Sequence, residues 1–380
     1  MSDAAPLIWF ADDWGRHPSS SQHLVRRLLP NRTVHYVNTI GTRKPRLDLE
    51  TIKRGFEKVR QWSQRHATGA ASQPLPEHLS VTNPRMWPWF SHGWDRRINR
   101  ELLGRHLRRL SANHNQPPIV VTTLPWTADL VDRVPARRWV YYCVDDFTVW
   151  PGLDGRALLK MERRLVEKVD RIVAVSETLR TRLASMGRPS ELLTHGVDLE
   201  FWQTGEGSFP DFASHPKPWI VFWGVVDRRM DSAMIRALAE ARLGTLLLVG
   251  PHNHPDPALA ALPGVVLPGP LPLHRLPALA KQTSVLVMPY ANLPVTRAIQ
   301  PLKLKEYLAT GLPCVVSDLP ANRDWADCLD IVTSAADLVA TVKRRLEHGI
   351  APEQRLARGR LAHEGWAAKA QEFARFIDAP

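Results

Sequence analysis

The sequence predicts an α/β protein built from two Rossmann-like, doubly wound domains. Short apolar stretches rich in β-branched and aromatic residues alternate with stretches of helical periodicity, which is typical of parallel sheets with crossover helices. The strand stretches fall into two series, separated by a segment rich in Gly, Pro and Ser. The chain has 380 residues, enough for two domains, and its 44% hydrophobic and 23% charged residues are a globular composition.

The first series contains five predicted strands with helices between them. Its last strand is followed by Ser176 and Glu177, a favourable helix N-terminus, and that helix should end near Met186. The strands are expected at 7–11, 33–37, 119–123, 139–144 and 171–175, and the earlier helices at 20–29, 95–112 and 154–169.

The second series begins at Trp219, after the Gly-, Pro- and Ser-rich segment 204–218, which indicates a linker. The sequence therefore predicts an N-terminal domain over 1–203, a C-terminal domain over 219–350, and a long helical segment over 351–380 that could pack back on the first domain. The strands of the second series are expected at 219–226, 245–249, 265–267, 285–288 and 314–317.

Composition also bears on the compartment. No apolar stretch approaches the roughly 20 residues that a membrane-spanning helix needs, and residues 1–6 lack the basic start of a signal peptide. The three cysteines, Cys143, Cys314 and Cys328, are too few for a disulfide framework and too widely spaced for paired zinc ligands. We therefore expect a cytoplasmic protein.

Positive charge is concentrated in the first half of the chain. Residues 1–200 carry 31 Lys and Arg against 21 Asp and Glu, and residues 43–109 alone carry 15 against 6. The aromatic residues interleaved with this basic stretch include Trp62, Trp87, Trp89, Phe90 and Trp94. Basic charge combined with Trp is typical of a surface that contacts anionic lipid headgroups. A solvated helix face and a nucleic-acid patch are the alternatives, and no nucleic-acid-binding motif supports the second, so no nucleic-acid partner is expected.

Several motifs are missing, and their absence narrows the chemistry. No G-x-G-x-x-G follows a strand, and there is no P-loop, H-E-x-x-H or G-x-S-x-G motif. There is also no Asp-x-Asp, the pattern with which many nucleotide-sugar enzymes hold a divalent metal. We therefore expect neither a cofactor nor a metal site.

The stretch 289–318 carries the pattern that is most informative about chemistry. A polar loop leads into a helix of about three turns, bounded by Pro301 and Gly311. Lys303 and Glu306 share one face of this helix. Lys303 lies near the helix N-terminus, where a diphosphate is favoured, and Glu306 could accept hydrogen bonds from a ribose diol. The alternative is an exposed ion pair between the two on an ordinary helix.

Five segments resemble, in chain order, the bacterial GT-B glycosyltransferases of group 1 (family 4), especially the teichuronic acid biosynthesis branch. The strongest is 296–313, with the sequence TRAIQPLKLKEYLATGLP. The others are 141–147 (YYCVDDF), 173–177 (VAVSE), 195–198 (HGVD) and 224–231 (GVVDRRMD). The resemblance covers about 139–320, with weaker echoes at 12–14 (DDW) and 22–24 (QHL).

This resemblance implies a GT-B fold, with two Rossmann-like domains facing a cleft. A nucleotide-sugar donor would bind mainly to the C-terminal domain, and the acceptor to the basic N-terminal domain. Glu306 matches the residue that contacts the donor ribose, and Lys303 matches a diphosphate contact. The segment that begins at Gly224 includes Arg228 and Arg229, either of which matches the cation that neutralises the leaving diphosphate. The family's usual Glu eight residues before Glu306 is replaced here by Ala298.

Asp145 and Asp146 follow the strand at 139–144, at a carboxyl edge where active-site residues gather. One of them could act as a general base toward the acceptor hydroxyl. The pair also resembles the aspartates of bacterial exopolysaccharide glucuronosyltransferases, which invert the anomeric configuration, whereas many family-4 members carry a His there and retain it. The stereochemistry stays open, and a loop or helix-capping role is the alternative.

Three further residues have two interpretations each. Tyr290, at a strand end, could stack on a nucleotide base or could cap the core. His195 lies in a His-Gly-Val-Asp turn at the domain junction, where a structural role competes with contact to a ligand. His17 follows the first strand and could contact the acceptor or the diphosphate, or it could be incidental.

These observations predict a glycosyltransferase that moves a sugar from a UDP- or GDP-type nucleotide sugar to a hydroxyl of a lipid-linked or polysaccharide acceptor. It would be peripheral on the inner face of the plasma membrane, bound to anionic lipid through its N-terminal domain. Two alternatives remain: a nucleotide-sugar epimerase or phosphorylase on the same fold, and a non-catalytic relative that only binds nucleotide or glycan.

Overall fold

The computed structural model describes residues 4–16, 18–39, 75–204 and 209–379. Contacts divide the chain into two compact units. Unit 1 comprises Met1–Thr194 and Lys369–Pro380, and unit 2 comprises His195–Ala368. Each unit contains its own parallel sheet flanked by helices, as the predicted α/β class requires.

Unit 1 is built on a seven-stranded parallel sheet of order β3-β2-β1-β4-β5-β6-β7. The strands are β1 (Leu7–Ala11), β2 (Val34–Asn38), β3 (Leu79–Thr82), β4 (Ile119–Thr122), β5 (Arg138–Cys143), β6 (Arg171–Ala174) and β7 (Glu191–Leu192). The α-helices are α1 (Ser20–Leu28), α2 (Gly93–Ala112), α3 (Gly155–Lys168) and α4 (Glu177–Ser185), with 3₁₀ turns at Leu29–Asn31, Pro125–Asp129 and Val131–Arg133.

Unit 2 is built on a six-stranded parallel sheet of order β12-β10-β8-β13-β14-β15, beside a two-stranded ladder of β9 and β11. The strands are β8 (Trp219–Trp223), β9 (Val226–Asp227), β10 (Thr245–Val249), β11 (His252–Asn253), β12 (Val265–Gly269), β13 (Val285–Met288), β14 (Cys314–Ser317) and β15 (Asp330–Val332).

Short helices connect these strands, and two longer ones follow the sheet. The α-helices are α5 (Leu199–Gln203), α6 (Ser232–Glu240), α7 (Leu276–Gln282), α8 (Pro294–Ala298), α9 (Leu302–Ala309), α10 (Pro320–Arg323), α11 (Ala335–His348), α12 (Pro352–Ala357) and α13 (Trp366–Asp378), with 3₁₀ turns at Pro210–Phe212, Pro257–Ala261, Leu273–Arg275 and Arg358–His363. None of the described helices combines the length and the apolar character needed to cross a membrane.

The strand order reverses direction once in each sheet. In unit 1 the reversal lies between β1 and β4, and in unit 2 it lies between β8 and β13. Connections leave the two central strands on opposite sides at such a point, so a crevice opens at their carboxyl ends, where α/β proteins bind ligands. Each unit therefore has one edge of its sheet where functional side chains are expected.

The predicted strands are present, with ends that shift by a few residues. The prediction lacks β3, β7, β11 and β15, which have two to four residues, because strands this short carry little periodic pattern. The long C-terminal helical segment is interrupted. It consists of α12, a 3₁₀ turn and α13, because Glu364 and Gly365 pair with the backbone of Val197 in place of continuing a helix.

The end of the chain completes the core of unit 1. Phe373 of α13 is fully buried, and its ring centroid lies 5.2 Å from that of Trp9 and 5.4 Å from that of Tyr142. Arg32 donates to the carboxylate of Asp378 at 2.5 Å. A large aromatic side chain of this kind contributes about 150–250 Å² of buried surface, so the last turns of the chain stabilise the first domain's sheet.

In unit 2, a buried lysine ties α9 to the first and last parts of the unit. Lys305 is 2% exposed, and its ammonium donates to the carboxylate of Glu364 and to the backbone oxygen of His195. The same ammonium lies 5.5 Å from the ring centroid of Trp325. A buried charge is stable only when it is paired and hydrogen-bonded, so this contact fixes both ends of unit 2 to one helix.

Replacing Lys305 by Ala should destabilise unit 2, because the substitution leaves the Glu364 carboxylate and the His195 carbonyl without their donor. We expect a loss of about 2–3 kcal/mol in the free energy of unfolding, allowing for the partial exposure of Glu364. Urea unfolding would measure the change. The matched control is Lys343→Ala on the exposed face of α11, and equal stability of the two variants would contradict a structural role for Lys305.

Candidate functional site

The strand-order reversal of unit 2 brings together most of the predicted donor residues. Gly224 directly follows β8, and Tyr290 follows β13 by two residues. Lys303 and Glu306 lie one turn apart on α9, which follows β13 through α8. We name Gly224, Tyr290, Lys303 and Glu306 the donor-site cluster. Their roles in donor binding remain predictions.

The Lys303 ammonium is held at the centre of the donor-site cluster. It donates to the Tyr290 hydroxyl at 2.6 Å and lies 4.5 Å from the ring centroid of Phe222 and 5.0 Å from that of Tyr290. Gly224 has a φ of +142°, and a Cβ there would lie 2.0 Å from Lys303 Nζ. Only glycine combines this backbone conformation with space for the ammonium, so Gly224 is required for the position of Lys303.

Glu306 lies against a stack of aromatic rings. Trp223 donates its indole N–H to the Glu306 carboxylate at 3.3 Å. The Trp223 ring stacks on Trp202 at a centroid distance of 5.3 Å and meets Tyr307 edge-on at 4.4 Å. Burial raises the pKa of Glu306 to about 7, opposed by the Trp223 hydrogen bond and by the Lys303 charge. Glu306 therefore carries a carboxyl group that titrates near neutral pH.

The alternative interpretation of the α9 pattern, an exposed Lys303–Glu306 ion pair, does not hold in the structure. The two side chains are on one face, as the i, i+3 spacing predicts, but Lys303 contacts Tyr290 and Glu306 contacts Trp223. Each thus has a partner that comes from a strand end of the sheet. The face between them is shaped by tertiary contacts and not by a local salt bridge.

The two arginines of the 224–231 segment have different surroundings. Arg229 donates from Nε to both carboxylate oxygens of Asp227, at 2.9 and 3.0 Å, and its guanidinium lies 5.6 Å from the ring centroid of Tyr290. Arg228 is exposed, and no carboxylate of the described residues is within ion-pair distance of it. Of the pair, Arg228 is the one whose charge can meet an external anion.

Tyr290 is 3% exposed, so its ring is part of the core. It meets Phe222 edge-on at 5.9 Å, and the charges of Lys303 and Arg229 lie over its ring. This surrounding matches the core alternative for Tyr290 and leaves no open ring face for a nucleotide base. Ala298, at the position where the resemblance implies a Glu, is buried at the end of α8 and brings no carboxylate to this region.

Asp145 and Asp146 follow β5 in unit 1, at the carboxyl edge that the sequence predicts. Asp146 is 8% exposed and uses both carboxylate oxygens: one accepts from the Thr148 N–H and hydroxyl at 3.0 and 2.5 Å, and the other pairs with Arg182 at 3.0 Å. Arg182 also binds the buried Glu162. Asp146 therefore belongs to an internal ion network, whereas Asp145 is half-buried.

Asp12 directly follows β1, at the strand-order reversal of unit 1. The sequence pattern gave this residue no role. Its carboxylate accepts from Ser19 at 2.9 Å, from Gln22 at 3.0 Å and from the Tyr36 hydroxyl at 3.3 Å. Burial raises the pKa of Asp12, and these hydrogen bonds oppose the rise. Its place directly after the first strand is the signal that could have identified it, since β1 borders the crevice.

The two histidines fall in different places. His17 lies outside the described residues. His195 is buried within unit 2, and its backbone oxygen accepts from Lys305. A Cβ on the next residue, Gly196, would lie 2.8 Å from the Trp366 ring. Asp198 caps α5 by accepting from the Phe201 N–H at 3.2 Å. The His-Gly-Val-Asp turn thus has the structural surroundings that its Gly and Asp suggest.

Part of the basic, Trp-containing stretch lies outside the described residues, including Trp62. Within the described part, Trp87 lies between two other indoles, with centroid distances of 5.0 Å to Trp89 and 5.6 Å to Trp94. Trp89 is 39% exposed and Trp94 is 56% exposed, whereas Phe90 is buried. An exposed Trp pair is therefore present on unit 1, and its binding partner stays a prediction.

Comparison with known proteins agrees with the geometry of unit 2. Residues 217–348 match the family model of glycosyl transferases, group 1. That match lies within unit 2. The chain is also 28% identical over 178 residues to a Bacillus subtilis (strain 168) protein named for a role in teichuronic acid biosynthesis, the glycosyltransferase TuaH. That alignment spans 44% of this chain and 45% of the relative, a little under half of its length.

Solved structures resemble the whole chain. Sucrose-phosphate synthase of Thermosynechococcus elongatus has a TM-score of 0.69 at 15% identity, covering 98% of both chains. A UDP-forming trehalose-phosphate synthase of Burkholderia xenovorans scores 0.68 at 11% identity, covering 99% of both. Anabaena HepE in complex with UDP and glucose scores 0.64 at 11% identity, covering 99% of this chain and 100% of HepE. The predicted GT-B fold and the resemblance to group 1 glycosyltransferases are confirmed by these matches, and the names of the relatives agree with the predicted glycosyltransferase class.

The raised pKa of Glu306 predicts a specific pH dependence of stability. The folded state holds the Glu306 proton more tightly than the unfolded state, so this stabilisation is complete below about pH 4.5 and is lost as pH rises through about 7. Glu306→Gln has no titrating group at this position and therefore lacks this pH-dependent stabilisation. We expect the free energy of unfolding of the wild type, relative to the variant, to fall by about 2 kcal/mol between pH 5 and pH 8. Urea unfolding of both proteins at each pH measures it; a constant difference would show that the Glu306 pKa is ordinary.

Proposed function

We propose that this protein is a metal-independent glycosyltransferase that moves a sugar from a UDP- or GDP-type nucleotide sugar to a hydroxyl of a lipid-linked or polysaccharide acceptor. The observation that carries the proposal is the donor-site cluster, in which an ammonium and a carboxyl lie one helical turn apart at the strand-order reversal of a group 1 domain. The complex of HepE with UDP and glucose makes UDP the first nucleotide to test.

Lys303 would bind the donor diphosphate. Its ammonium is oriented by Tyr290 and supported by the Phe222 ring, so little rotational freedom is lost on binding. Arg228, exposed at the same end of the sheet, would supply a second cation. Charge accumulates on the departing nucleoside diphosphate as the glycosidic bond breaks, so cations fixed here stabilise the transition state more than the ground state. Lys303 and Arg228 together can do this without a metal ion.

Glu306 would accept hydrogen bonds from the two ribose hydroxyls. The ionised carboxyl offers one acceptor oxygen to each hydroxyl, whereas protonation turns one of these oxygens into a donor; the unliganded group has a pKa of about 7. Binding of a ribose diol would therefore release a proton below neutral pH. Tyr290 contributes indirectly, by orienting Lys303, and not through base stacking, because its ring is buried.

We assign the general base to Asp145. Asp146 is occupied by Arg182 and Thr148 within unit 1, and removal of either contact would leave a buried charge unpaired. Asp145 follows the same strand, is half-buried, and lies at the carboxyl edge of the sheet, the usual location of catalytic groups. Deprotonation of the acceptor hydroxyl by this carboxylate would contribute about 10²- to 10⁴-fold in rate.

The acceptor would bind unit 1, whose sequence carries most of the positive charge. A lipid-linked acceptor places the enzyme at the cytoplasmic face of the plasma membrane, in contact with anionic lipid through the exposed tryptophans of unit 1. No nucleic acid takes part, and the donor is the only nucleotide required.

Nucleotide binding tests the donor site. Titration calorimetry against UDP, GDP, ADP, TDP and CMP, in EDTA and then in magnesium, should reveal one preferred nucleoside diphosphate with the same affinity in both buffers. Lys303→Ala should weaken that affinity by at least about tenfold, since a hydrogen-bonded cation contributes about 1.5–3 kcal/mol to binding an anion. Glu306→Gln should weaken it at pH 8 and much less at pH 6.

The control for these measurements is Lys343→Ala, which removes the same charge from an exposed position on α11. Wild-type affinity in both the Lys303 and Glu306 variants would remove the donor site from this cluster. Binding that requires magnesium would contradict the metal-independent mechanism.

The two aspartates should separate in kinetics. Asp145→Asn should lower kcat for sugar transfer by about 10²- to 10⁴-fold and leave the nucleotide affinity unchanged. Asp146→Asn should lower the unfolding temperature, because Arg182 loses a charged partner. The assay follows sugar from the donor identified by calorimetry into a membrane-lipid extract. Full activity of Asp145→Asn would exclude it as the base.

A further inference from the structure

A cavity of about 300 Å³ lies in unit 1, at the beginning of α2. Three elements form it: the first two turns of α2, the 3₁₀ turn that follows β4, and α3. Its lining residues are Gly93, Arg96, Arg97, Arg100, Asp129 and Arg164. Four guanidinium groups and one carboxylate therefore face a single small space.

The carboxylate in this cavity is already shared. Asp129 pairs with Arg96 at 3.2 Å and with Arg164 at 3.1 Å. Arg97 is exposed, and Arg100 Nε is buried without a hydrogen bond among the described residues, its nearest carboxylate oxygen lying 3.8 Å away on Glu101. The cavity thus has more positive charge than its own acids balance, and planar guanidinium groups suit the oxygens of a phosphate.

The arginines occupy one face of a helix that begins at the cavity. Gly93, Arg96, Arg97 and Arg100 follow i, i+3, i+4, i+7 spacing, so the three arginine side chains lie on one face of α2 and line the same cavity. The positive end of the helix dipole lies at the same place and adds to their charge. Convergence on a cavity distinguishes these residues from a solvated helix face, where opposite charges alternate, and from the extended stripe that a nucleic-acid backbone requires.

Exposed apolar side chains lie beside the cavity. Five large apolar residues are exposed in the described part of the chain, and three of them lie between 89 and 98: Trp89, Trp94 and Ile98, at 39%, 56% and 36% exposure. Trp94 and Ile98 are spaced i, i+4 on α2 and share a face next to the arginine face. An anion with an apolar body would contact both faces at once, as lipid headgroups at an interface do.

Buried polar contacts hold these tryptophans in place. Asp95, 1% exposed, accepts from the Trp87 indole N–H at 2.8 Å and from the His92 N–H at 2.9 Å. Asn99, 6% exposed, accepts from the Trp87 N–H at 2.7 Å and donates to the backbone oxygens of Trp87 and Trp89, each at 3.0 Å. The tryptophan segment and the arginine face are therefore fixed to the same helix, and their relative position is set before any ligand binds.

We propose that this cavity binds the diphosphate of a membrane lipid that carries a sugar, with Trp89, Trp94 and Ile98 inserted among the acyl chains. The proposal rests on the proposed glycosyltransferase function and narrows it: the acceptor is a sugar carried on a lipid diphosphate, and Arg97 and Arg100 recognise that diphosphate. A diphosphate between lipid and sugar presents two negative charges to the guanidinium groups, whereas the phosphodiester of an ordinary phospholipid presents one. Phosphatidic acid, whose phosphomonoester has three unesterified oxygens, serves as the doubly charged probe.

Vesicle sedimentation tests the site without the donor. The full-length protein is mixed with phosphatidylcholine vesicles, alone or with phosphatidic acid or phosphatidylglycerol at matched surface charge. We expect the tightest binding to phosphatidic acid. Arg97→Gln with Arg100→Gln should weaken that binding by about thirtyfold, since two of the cations that face the phosphate are lost. The matched control, Arg133→Gln with Arg137→Gln, removes the same charge from exposed positions that do not line the cavity and should bind as the wild type does.

Further variants keep the test decisive if the double Gln variant unfolds, as judged by circular dichroism. Arg97→Lys with Arg100→Lys keeps the charge but loses bidentate geometry, so it should lose the preference for phosphatidic acid over phosphatidylglycerol. Trp94→Ser should weaken binding to both anionic vesicles equally.

Three results would overturn the proposal. The first is wild-type vesicle binding by both arginine variants. The second is equal binding to phosphatidic acid and phosphatidylglycerol, which would indicate general attraction to anionic surfaces. The third is loss of vesicle binding in Trp94→Ser only, with inorganic pyrophosphate bound equally by wild type and Arg97→Gln/Arg100→Gln.

Nucleotide calorimetry on Arg97→Gln/Arg100→Gln separates the two proposals. This variant should bind the nucleoside diphosphate as the wild type does. Failure of the wild type to bind any nucleotide would refute the donor site alone.

Discussion

The close approach of the Lys303 ammonium to Gly224 is the contact on which the rest of the donor-site cluster depends. It is possible only because β8 and β13 are neighbours whose connections leave on opposite sides, so the residues after both strands meet at one edge. Any side chain at position 224 would displace the ammonium. The backbone there is itself fixed by a hydrogen bond from the Gly224 N–H to Val249 on the next strand. One charge is thus placed by the packing of three strands.

Some charged side chains of this protein are neutralised in buried ion pairs, and others are exposed. Asp146 and Arg182 neutralise each other inside unit 1, and Arg229 is neutralised by Asp227. Arg228, the neighbour of Arg229 in sequence, is exposed, and no carboxylate of the described residues lies within ion-pair distance of it. A buried pair is costly to disrupt and so poorly suited to bind and release a substrate. Of the two arginines, Arg228 is therefore the better candidate for binding a substrate.

The two units distribute charge in a complementary manner. The donor-site cluster of unit 2 combines one ammonium with one carboxyl that titrates near neutral pH. An ammonium suits a diphosphate, and a carboxyl suits the hydroxyls of a ribose. The arginine-lined cavity of unit 1 instead has a surplus of positive charge beside exposed tryptophan. The first arrangement fits a nucleotide that enters from water, and the second fits an anion presented at an apolar surface.

The sequence by itself determined the α/β class, most strand positions and the shared face of Lys303 and Glu306, because each depends on patterns within a few residues. Tertiary structure decided which partners surround the predicted residues. Glu306 meets Trp223 across 83 residues of sequence, and Asp146 meets Arg182 on a later helix, so neither partner can be read from local spacing. The arginine cavity likewise forms only when α2, α3 and a 3₁₀ turn pack together, since no single segment encloses a space.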